Sequence, residues 1–294
     1  MQDLKNKTPS TVSIVLPAKN ESQNIGELLL KIQALQLDAE ILLVNDGSTD
    51  DTAQIGQNLG VRVITHPYSL GNGAAVKTGA RNAIGSVIVF MDGDGQHNPE
   101  DIPVLLSKLY EGYDMVVGAR HPSTHSSWAR RFGNWIYNSM ASYMTQYKIE
   151  DLTSGFRAVR ADKFRKFLYL LPNGFSYPTT STMAFFRSGF HVGYIPIHAG
   201  TRKGQSHINI VKDGYRFFIV ILRVGALFSP MRFFMPISSW MFLSGIANYG
   251  YTYMTQGRFT NMSMLLILSS LFVFLMGIIS EQISSLHYKY IEEK

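Results

Sequence analysis

The chain has 294 residues, which is enough for one large domain or for one domain with an appendage. Its charged fraction of 16% lies below the roughly 25% that is usual in soluble domains, and the deficit is concentrated towards the carboxyl end. The absence of cysteine excludes a disulfide framework and a thiolate metal site. Because the residues through Ser10 are polar, we expect no signal peptide.

Apolar runs rich in β-branched residues alternate with amphipathic segments in the first part of the chain. The runs predict strands at 12–16, 40–44, 61–64 and 87–91. Helices are predicted at 25–35, from about 50 to 59 and at 74–84, with Asn20 or Ser22 capping the first helix and Asp50 the second. This alternation predicts an α/β fold with a parallel sheet and right-handed crossovers.

The fourth predicted strand ends in two carboxylates, Asp92 and Asp94, with a glycine between them. Residues i and i+2 of an extended chain point the same way, and open α/β sheets bind ligands beyond the carboxyl ends of their strands. Two hard oxygen ligands at such an edge suit a Mg²⁺ or Mn²⁺ ion that bridges a diphosphate. The alternative is a polar turn with two solvated aspartates.

Acidic residues follow three strand ends in succession: Glu21, Asp46, and then Asp92 with Asp94. The segment after the first strand, Pro17–Glu21, lacks the G-x-G-x-x-G pattern, so a dinucleotide oxidoreductase is disfavoured. The carboxylates instead suggest a sugar-nucleotide site, in which they bond the base and the ribose and hold a metal ion on the diphosphate. Because carboxylates repel phosphate, a metal ion or arginines must lie between the two.

Basic residues follow the later predicted elements. A fifth strand at 113–120 ends in Arg120, which is expected to face the same edge and to bind a phosphate bidentately. A helix from about Trp128 carries Arg130 and Arg131. Three histidines show no metal-ligand pattern and are expected on the surface: His97, His121 and His125.

Residues 151–157 are predicted to form a turn or a strand with a basic end, and 192–196 a last strand. Glycine beside Arg202 and Lys203 predicts a mobile clamp that closes over a phosphate. Apolar and basic residues interleave from 208 to 228, which indicates amphipathic helices in a membrane interface. An ordinary helix packed on the domain is the alternative.

Two runs without any Asp, Glu, Lys or Arg, 233–256 and 261–280, predict two transmembrane helices. A pair of buried core helices is the alternative. The net charge is +6 and basic residues crowd before the first run, so the positive-inside rule places both ends of the hairpin in the cytoplasm. This basic surface suggests anionic lipid headgroups, and no arginine–aromatic motif typical of nucleic-acid binding is present.

Several segments together resemble a known family. Family 2 glycosyltransferases, which have the GT-A fold, resemble this chain at Pro17–Glu21, Asn45–Asp50 and Met91–Gln96. The resemblance narrows to polyprenyl-phosphate glycosyltransferases, among them dolichyl-phosphate mannose synthases and bacterial undecaprenyl-phosphate glycosyltransferases, at Leu152–Arg157, at Arg202–Ser206 and in the two C-terminal runs. It covers essentially the whole chain.

The resemblance implies a role for each matching residue. The nucleoside would be contacted by Pro17, Ala18, Glu21 and Asp46, with the backbone approaching it at Gly71 and Gly73. The metal ion and the diphosphate would be held by Asp92, Asp94 and Gln96, and sugar hydroxyls or the diphosphate by Thr153 and Ser154. The acceptor phosphate would be met by Arg131, or else by Arg130. Alternatively, Asp46 caps its own turn, the two glycines only open a helix, and the two arginines are solvated.

The implied reaction is the inverting, metal-dependent transfer of a monosaccharide from a UDP- or GDP-sugar to a membrane polyprenyl phosphate. The metal ion, Arg120, Arg202 and Lys203 would stabilise the phosphates. The implied domains are a GT-A domain at 1–206, interfacial helices at 207–231 and a two-helix membrane region at 232–294. The expected location is the bacterial inner membrane with the catalytic domain in the cytoplasm, and a homo-tetramer is one expected assembly.

One stretch departs from the family pattern, because relatives carry an acidic residue where this chain has Thr179, Thr180 and Thr182. The departure leaves the sugar open and weakens any general base there, although a phosphate monoester is largely a dianion at neutral pH and needs no strong base. Two alternatives to this reaction are considered. The chain could be a non-catalytic nucleotide-binding membrane protein with a degenerate transferase domain, or it could be a polysaccharide synthase. The further Q-x-x-R-W-type motif of such synthases is not found.

Overall fold

The structure is a computed structural model that describes residues 11–120, 128–174, 176–198, 227 and 229–292. The predicted clamp at Arg202 and Lys203, most of the predicted interfacial helices, and His121 and His125 lie outside the described residues. The side chains of Arg130 and Arg131 also lie outside the described part of the chain.

The described residues form seven strands and nine helices. The strands are β1 Val12–Ala18, β2 Ala39–Asn45, β3 Arg62–Thr65, β4 Val87–Phe90, β5 Met115–Arg120, β6 Arg157–Arg160 and β7 Val192–Ile197. The helices are α1 Ser22–Ala34, α2 Thr52–Asn58, α3 Asn72–Asn82, α4 Asp101–Tyr110, α5 Trp128–Thr145, α6 Ala161–Arg165, α7 Tyr177–Arg187, α8 Pro230–Gln256 and α9 Asn261–Glu292. The predicted strands at β1 to β5 and at β7, and the first three predicted helices, are therefore confirmed.

The strands form one sheet with the order β3-β2-β1-β4-β6-β5-β7, and β6 alone among them runs antiparallel to its neighbours. Strands β1 and β4 are buried along their whole length, as a parallel sheet covered by helices on both faces requires. Residues 151–157 were predicted to form a turn or a strand that ends in a basic residue. That residue, Arg157, instead begins strand β6, where it pairs with Phe90 of β4.

Helices α1 and α2 begin at a shared carboxylate. The predicted apolar stripe of α1 is buried, but the prediction that Asn20 or Ser22 caps it is wrong. Asp50 instead accepts hydrogen bonds from the backbone N–H of Ser22 at 3.0 Å and of Thr52 at 3.1 Å. Burial alone would raise the pKa of Asp50, but these bonds and the Thr52 hydroxyl lower it to about 2. One charge thus fixes the start of both helices.

The described residues divide into two units, one with the sheet and one with Met140–Gln146, α8 and α9. In the second unit a Cβ at Gly245 would lie 2.9 Å from the Ile267 side chain, and one at Gly277 would lie 2.9 Å from Phe234. These contacts pair α8 with α9 as an antiparallel hairpin.

A stretch of α9, Asn261–Leu286, is long and apolar enough to cross a membrane, with a mean hydropathy of 2.5. Elsewhere in the described residues no helix meets the same measure, and α8 contains Pro236 together with serines and tyrosines. Hydropathy therefore supports one of the two predicted spans.

His97 lies in the core, so the expectation that it is on the surface is wrong. Its side chain stacks on Phe156 with the ring centroids 5.1 Å apart, and the residue is 7% exposed. Burial lowers the pKa of His97 to about 4, and the nearby charges of Asp94, Arg120 and Asp151 have smaller effects. The imidazole is therefore neutral at neutral pH.

The buried His97 should make the free energy of unfolding depend on pH. Its pKa is about 4 in the folded chain and near the ordinary 6.5 in the unfolded chain, so the unfolded state binds more protons between these values. Stability from this group is complete above pH 6.5 and is lost as the pH falls towards 4, by about 2 kcal/mol between pH 7 and pH 5.

We expect His97→Phe, which keeps the stacking and cannot titrate, to lose this share of the pH dependence in denaturant titrations at the two pH values. If the free energy of unfolding changes equally between the two pH values in wild type and in His97→Phe, the assignment of this pH dependence to His97 is wrong.

The packing of α3 on β1 yields a second prediction. A Cβ added at Gly79 would lie only 2.2 Å from Cγ1 of Val15, so Gly79→Ala should overpack this contact and cost about 1–3 kcal/mol of stability. Gly133 of α5 faces open space, and Gly133→Ala should instead stabilise the chain by about 0.5–1 kcal/mol. Thermal unfolding of both variants measures the contrast, and a fully stable Gly79→Ala variant would rule out the packing described.

Candidate active site

The site residues predicted from the sequence gather at one edge of the sheet. Because β1, β2, β4 and β5 are mutually aligned, their carboxyl ends at Ala18, Asn45, Phe90 and Arg120 meet there. The amino end of β6 joins them, since it is antiparallel to β4 and β5. Loops after these strand ends can therefore meet around one ligand.

Asp92 lies on this edge between two loops. Its Oδ1 is 3.5 Å from Nδ2 of Asn72, and a Cβ added at Gly155 would lie 2.7 Å from its Oδ2, so a larger residue there would displace the carboxylate. Oδ1 of Asn72 is buried and makes no hydrogen bond within the described chain. The sequence analysis overlooked Asn72, although an amide between two loop glycines beside a carboxylate is a recognisable signal.

Asp94 and Gln96 form a tight turn beside Asp92. Oδ1 of Asp94 accepts a hydrogen bond from the backbone N–H of Gln96 at 3.1 Å, and Gly95 between them has a φ of +71°. The N–H of Gly93 donates to the carbonyl of Pro17 at 3.2 Å, which ties this turn to the end of β1.

The donor set fits a hard divalent ion held jointly with a phosphate ligand. Asp92, Asp94 and Gln96 supply carboxylate and amide oxygens, which are the ligands that Mg²⁺ and Mn²⁺ prefer. In the part of the chain that the structure describes, no three His, Cys, Asp or Glu side chains converge as a closed metal site. The described residues therefore do not form a complete metal site by themselves, and the metal role of these three side chains stays a prediction.

Asp46 is buried and fully engaged inside the chain, with 3% exposure. Its carboxylate lies 2.8 Å from Nδ1 of His66 and accepts hydrogen bonds from the Ser69 hydroxyl and from the N–H groups of Leu70 and Gly71 at 2.8 to 2.9 Å. Burial would raise the pKa of Asp46, but these bonds, first that of His66, hold it below its ordinary value. The carboxylate does not cap its own turn, and its predicted contact with a nucleoside stays a prediction. The carboxylate orders the loop that leads into α3.

Gly71 and Gly73 are required by the chain's own backbone. A Cβ at Gly73 would lie 2.0 Å from the carbonyl oxygen of Pro172, and one at Gly71 would lie 2.6 Å from that of Asn173. The N–H of Gly73 donates to the carbonyl of Gly174 at 3.2 Å. Residues 172–174 therefore require glycine at both positions, and the predicted approach of this backbone to a nucleotide stays a prediction.

Arg120 is held by a carboxylate that the sequence analysis did not name as a site residue. Its Nε and Nη2 donate to the two oxygens of Asp151 at 2.7 and 3.0 Å, and Nη2 also donates to the Thr153 hydroxyl. Burial would lower the pKa of Arg120, but Asp151 raises it. The Nε–Nη2 edge is thus occupied, which corrects the expectation of a bidentate phosphate contact through that edge.

The remaining predicted residues differ in accessibility. Pro17 and Ala18 are buried within β1, while Glu21 is half-buried and accepts a hydrogen bond from Asn24 at 3.0 Å. Thr153 is half-buried, but Ser154 is 1% exposed and its hydroxyl is buried without a partner in the described chain. The geometry therefore offers Thr153, and not Ser154, to a ligand.

Comparisons with known proteins agree with this architecture. The family model described as glycosyl transferase family 2 matches residues 13–168, and the one described as GtrB C-terminal hairpin matches residues 229–286. Glycosyltransferase AglJ of Haloferax volcanii is 28% identical over 293 residues, which cover 95% of this chain and 96% of AglJ. An undecaprenyl-phosphate 4-deoxy-4-formamido-L-arabinose transferase of Pseudomonas savastanoi is 34% identical over 58% of this chain and 56% of its own length. The chain thus spans little more than half of that relative.

Among solved structures, glucosyl-3-phosphoglycerate synthase of Mycobacterium tuberculosis, crystallised with Mn²⁺, UDP and phosphoglyceric acid, superposes with a TM-score of 0.59. The match covers 74% of this chain and 79% of that one at 22% identity, and it shows the fold. These findings confirm the resemblance to family 2 and to polyprenyl-phosphate glycosyltransferases. Since the family 2 match takes in more than half of the chain, the protein belongs to glycosyl transferase family 2 and is a glycosyltransferase with the GT-A fold.

Proposed function

We propose that the protein transfers a monosaccharide, with inversion, from a nucleotide sugar to the phosphate of a membrane polyprenyl phosphate. The observation that carries this proposal is the pair Asp92 and Asp94 at the carboxyl edge of the sheet, with Arg120 at the end of β5 on the same edge. The match to the GtrB C-terminal hairpin and the polyprenyl-phosphate name of the Pseudomonas relative support a lipid acceptor.

The donor is a UDP- or GDP-sugar in this proposal. Asp92, Asp94 and Gln96 would hold Mg²⁺ or Mn²⁺, and such an ion would neutralise charge on the diphosphate leaving group. Glu21 contacts the nucleoside, with Pro17 and Ala18 forming the wall of its pocket. The Mn²⁺ and UDP named in the Mycobacterium structure support a divalent ion and a nucleoside diphosphate at this edge of the fold.

The acceptor phosphate is met by basic residues after β5. A phosphate monoester has a second pKa near 6, so its dianion attacks the anomeric carbon without a strong general base. We assign this phosphate to Arg131, with Arg130 as the alternative, and assign the closing clamp to Arg202 and Lys203. The protein contributes position and charge, and Asp151 contributes by holding Arg120 in place.

The C-terminal hairpin anchors the enzyme in this proposal. The apolar stretch of α9 is 26 residues long and spans about 39 Å as a helix, which exceeds the ~30 Å of a bilayer core. With α8 as a second span, both ends of the hairpin face the cytoplasm of a bacterial inner membrane. The domains are then the GT-A domain at 1–206, interfacial helices at 207–231 and the hairpin at 232–294, with a tetramer as the assembly.

A product assay tests the reaction. Protein purified in detergent should convert undecaprenyl phosphate and one member of a panel of UDP- and GDP-sugars into a lipid-phosphate monosaccharide, detected by mass spectrometry. EDTA should abolish the product, and Asp94→Asn should lower the rate about 10²- to 10³-fold, since it removes a charge from the diphosphate site. The exposed Asp51 gives a matched control, because Asp51→Asn should keep the wild-type rate. An Asp94→Asn variant with wild-type turnover would refute the metal role.

The Asp151–Arg120 pair gives a separate test. Asp151 is a buried carboxylate that pairs with Arg120 at the carboxyl end of β5. Asp114, which precedes the amino end of β5, is also buried and pairs with Lys163. Replacing either by Asn should cost about 1.5–3 kcal/mol of stability, because each loses a charge-assisted bond. Only Asp151→Asn should also lower kcat, by about 10²-fold, because only Asp151 positions a cation of the site. Equal kcat values for the two folded variants would show that Asp151 is purely structural.

A further inference from the structure

Arg157 is a fully buried cation beside the site. It is the first residue of β6, it is 0% exposed, and it pairs with Phe90, two residues before Asp92. Arginine stays protonated in proteins, so a full positive charge lies inside the domain. Such a charge is costly to bury unless other groups solvate or neutralise it.

The groups that contact this guanidinium are neutral. Nη1 donates to the carbonyl of Pro178 at 3.1 Å and to the hydroxyls of Ser181 and Thr182 at 2.8 and 3.1 Å. Nη2 donates to the carbonyl of Ser154. Within the described residues Arg157 takes part in no ion pair, and its Nε has no hydrogen-bond partner. Its charge is therefore solvated but not cancelled.

One layer of side chain and backbone separates this charge from Asp92. Cζ of Arg157 lies 5.7 Å from the centroid of the Tyr177 ring, whose hydroxyl donates to the carbonyl of Gly155 at 3.2 Å. Gly155 in turn lies directly against Asp92. Asp92 and Asp151 are the two carboxylates whose charges act on Arg157 across this layer.

The residues at the start of α7 leave the positive charge of Arg157 uncancelled. Four consecutive hydroxyl-bearing residues there are all at most 5% exposed: Thr179, Thr180, Ser181 and Thr182. A carboxylate beside Nη1 would form an ion pair with Arg157 and cancel its field at the site. Hydroxyl groups satisfy the same donors without adding negative charge.

We propose that Arg157 is a positioning residue that supplies an uncancelled positive charge behind the site, and that this charge favours binding of the nucleoside diphosphate. The inference rests on the proposed function. Asp92 and Asp94 by themselves repel a diphosphate, and a fixed cation in a low-dielectric interior offsets that repulsion without contact. The same charge disfavours the divalent ion when it binds alone. The hydroxyl groups of α7 thus set a balance between anion and cation affinity.

Two variants that differ only in charge test the proposal. Thr182→Asp places a carboxylate beside Nη1 of Arg157, whereas Thr182→Asn places a neutral amide of the same shape there. Isothermal titration of the full-length protein in detergent would measure binding of UDP or GDP, whichever the wild type binds, at saturating Mn²⁺. Binding of Mn²⁺ alone is measured separately.

Relative to Thr182→Asn, we expect Thr182→Asp to weaken nucleotide binding about tenfold and to tighten Mn²⁺ binding by a similar factor. Changes of opposite sign cannot come from general damage, which would weaken both. Circular dichroism melting should show both variants folded, and if Thr182→Asp is not, Ser181→Asp against Ser181→Asn repeats the contrast at a second contact of Nη1.

Equal nucleotide and Mn²⁺ affinities for the two variants, with the wild type binding normally, would overturn the role of Arg157 and leave the proposed function standing. Weaker binding of both ligands by the Asp variant would equally overturn it, since that result reflects packing. A wild type that binds neither nucleotide would remove the proposed function and this inference together.

Discussion

The carboxyl edge of the sheet depends on carboxylates that accept several hydrogen bonds at once. Asp46 fixes the loop into α3, Asp50 fixes the starts of α1 and α2, and Asp151 fixes Arg120 together with the segment before β6. Each charge remains ionised because donors from distant loops surround it. The loops are therefore tied to the strand ends before any ligand arrives, so the edge is preorganised.

The sequence predicted elements well wherever one periodicity dominates. Continuous apolar runs revealed β1, β2 and β4, and the apolar stripe revealed α1. Strand β6 was not predicted because it is only four residues long and has an arginine at each end. Such a pattern usually indicates solvent exposure. The burial of Arg157 depends largely on acceptors on α7, more than twenty positions away. His97 was missed for the same reason, since its stacking partner is Phe156.

The candidate site shows a similar division. The residue types at strand ends were predictable, because parallel strands bring their carboxyl ends together. The partners were not, since Asp46 bonds a residue 25 positions away and Asp151 bonds one 31 positions away. A carboxylate that anchors a loop and one that faces a ligand look alike in a sequence. Only the folded chain shows that the carboxylate of Asp46 is surrounded by donors from the loop that leads into α3.

The segment at 172–174 has a consequence for how an anion is held at this edge. Helix N-termini commonly bind phosphate through free N–H groups and the positive end of the helix dipole. In α3 the N–H groups of Gly73 and Ala74 are already capped by the carbonyls of Gly174 and Asn173. The positive end of the α3 dipole therefore faces carbonyl groups of the protein's own backbone. A polyphosphate at this edge therefore has to be held by side-chain cations or by a divalent ion rather than by the N-terminus of α3, which makes its retention sensitive to the supply of divalent ions and to ionic strength.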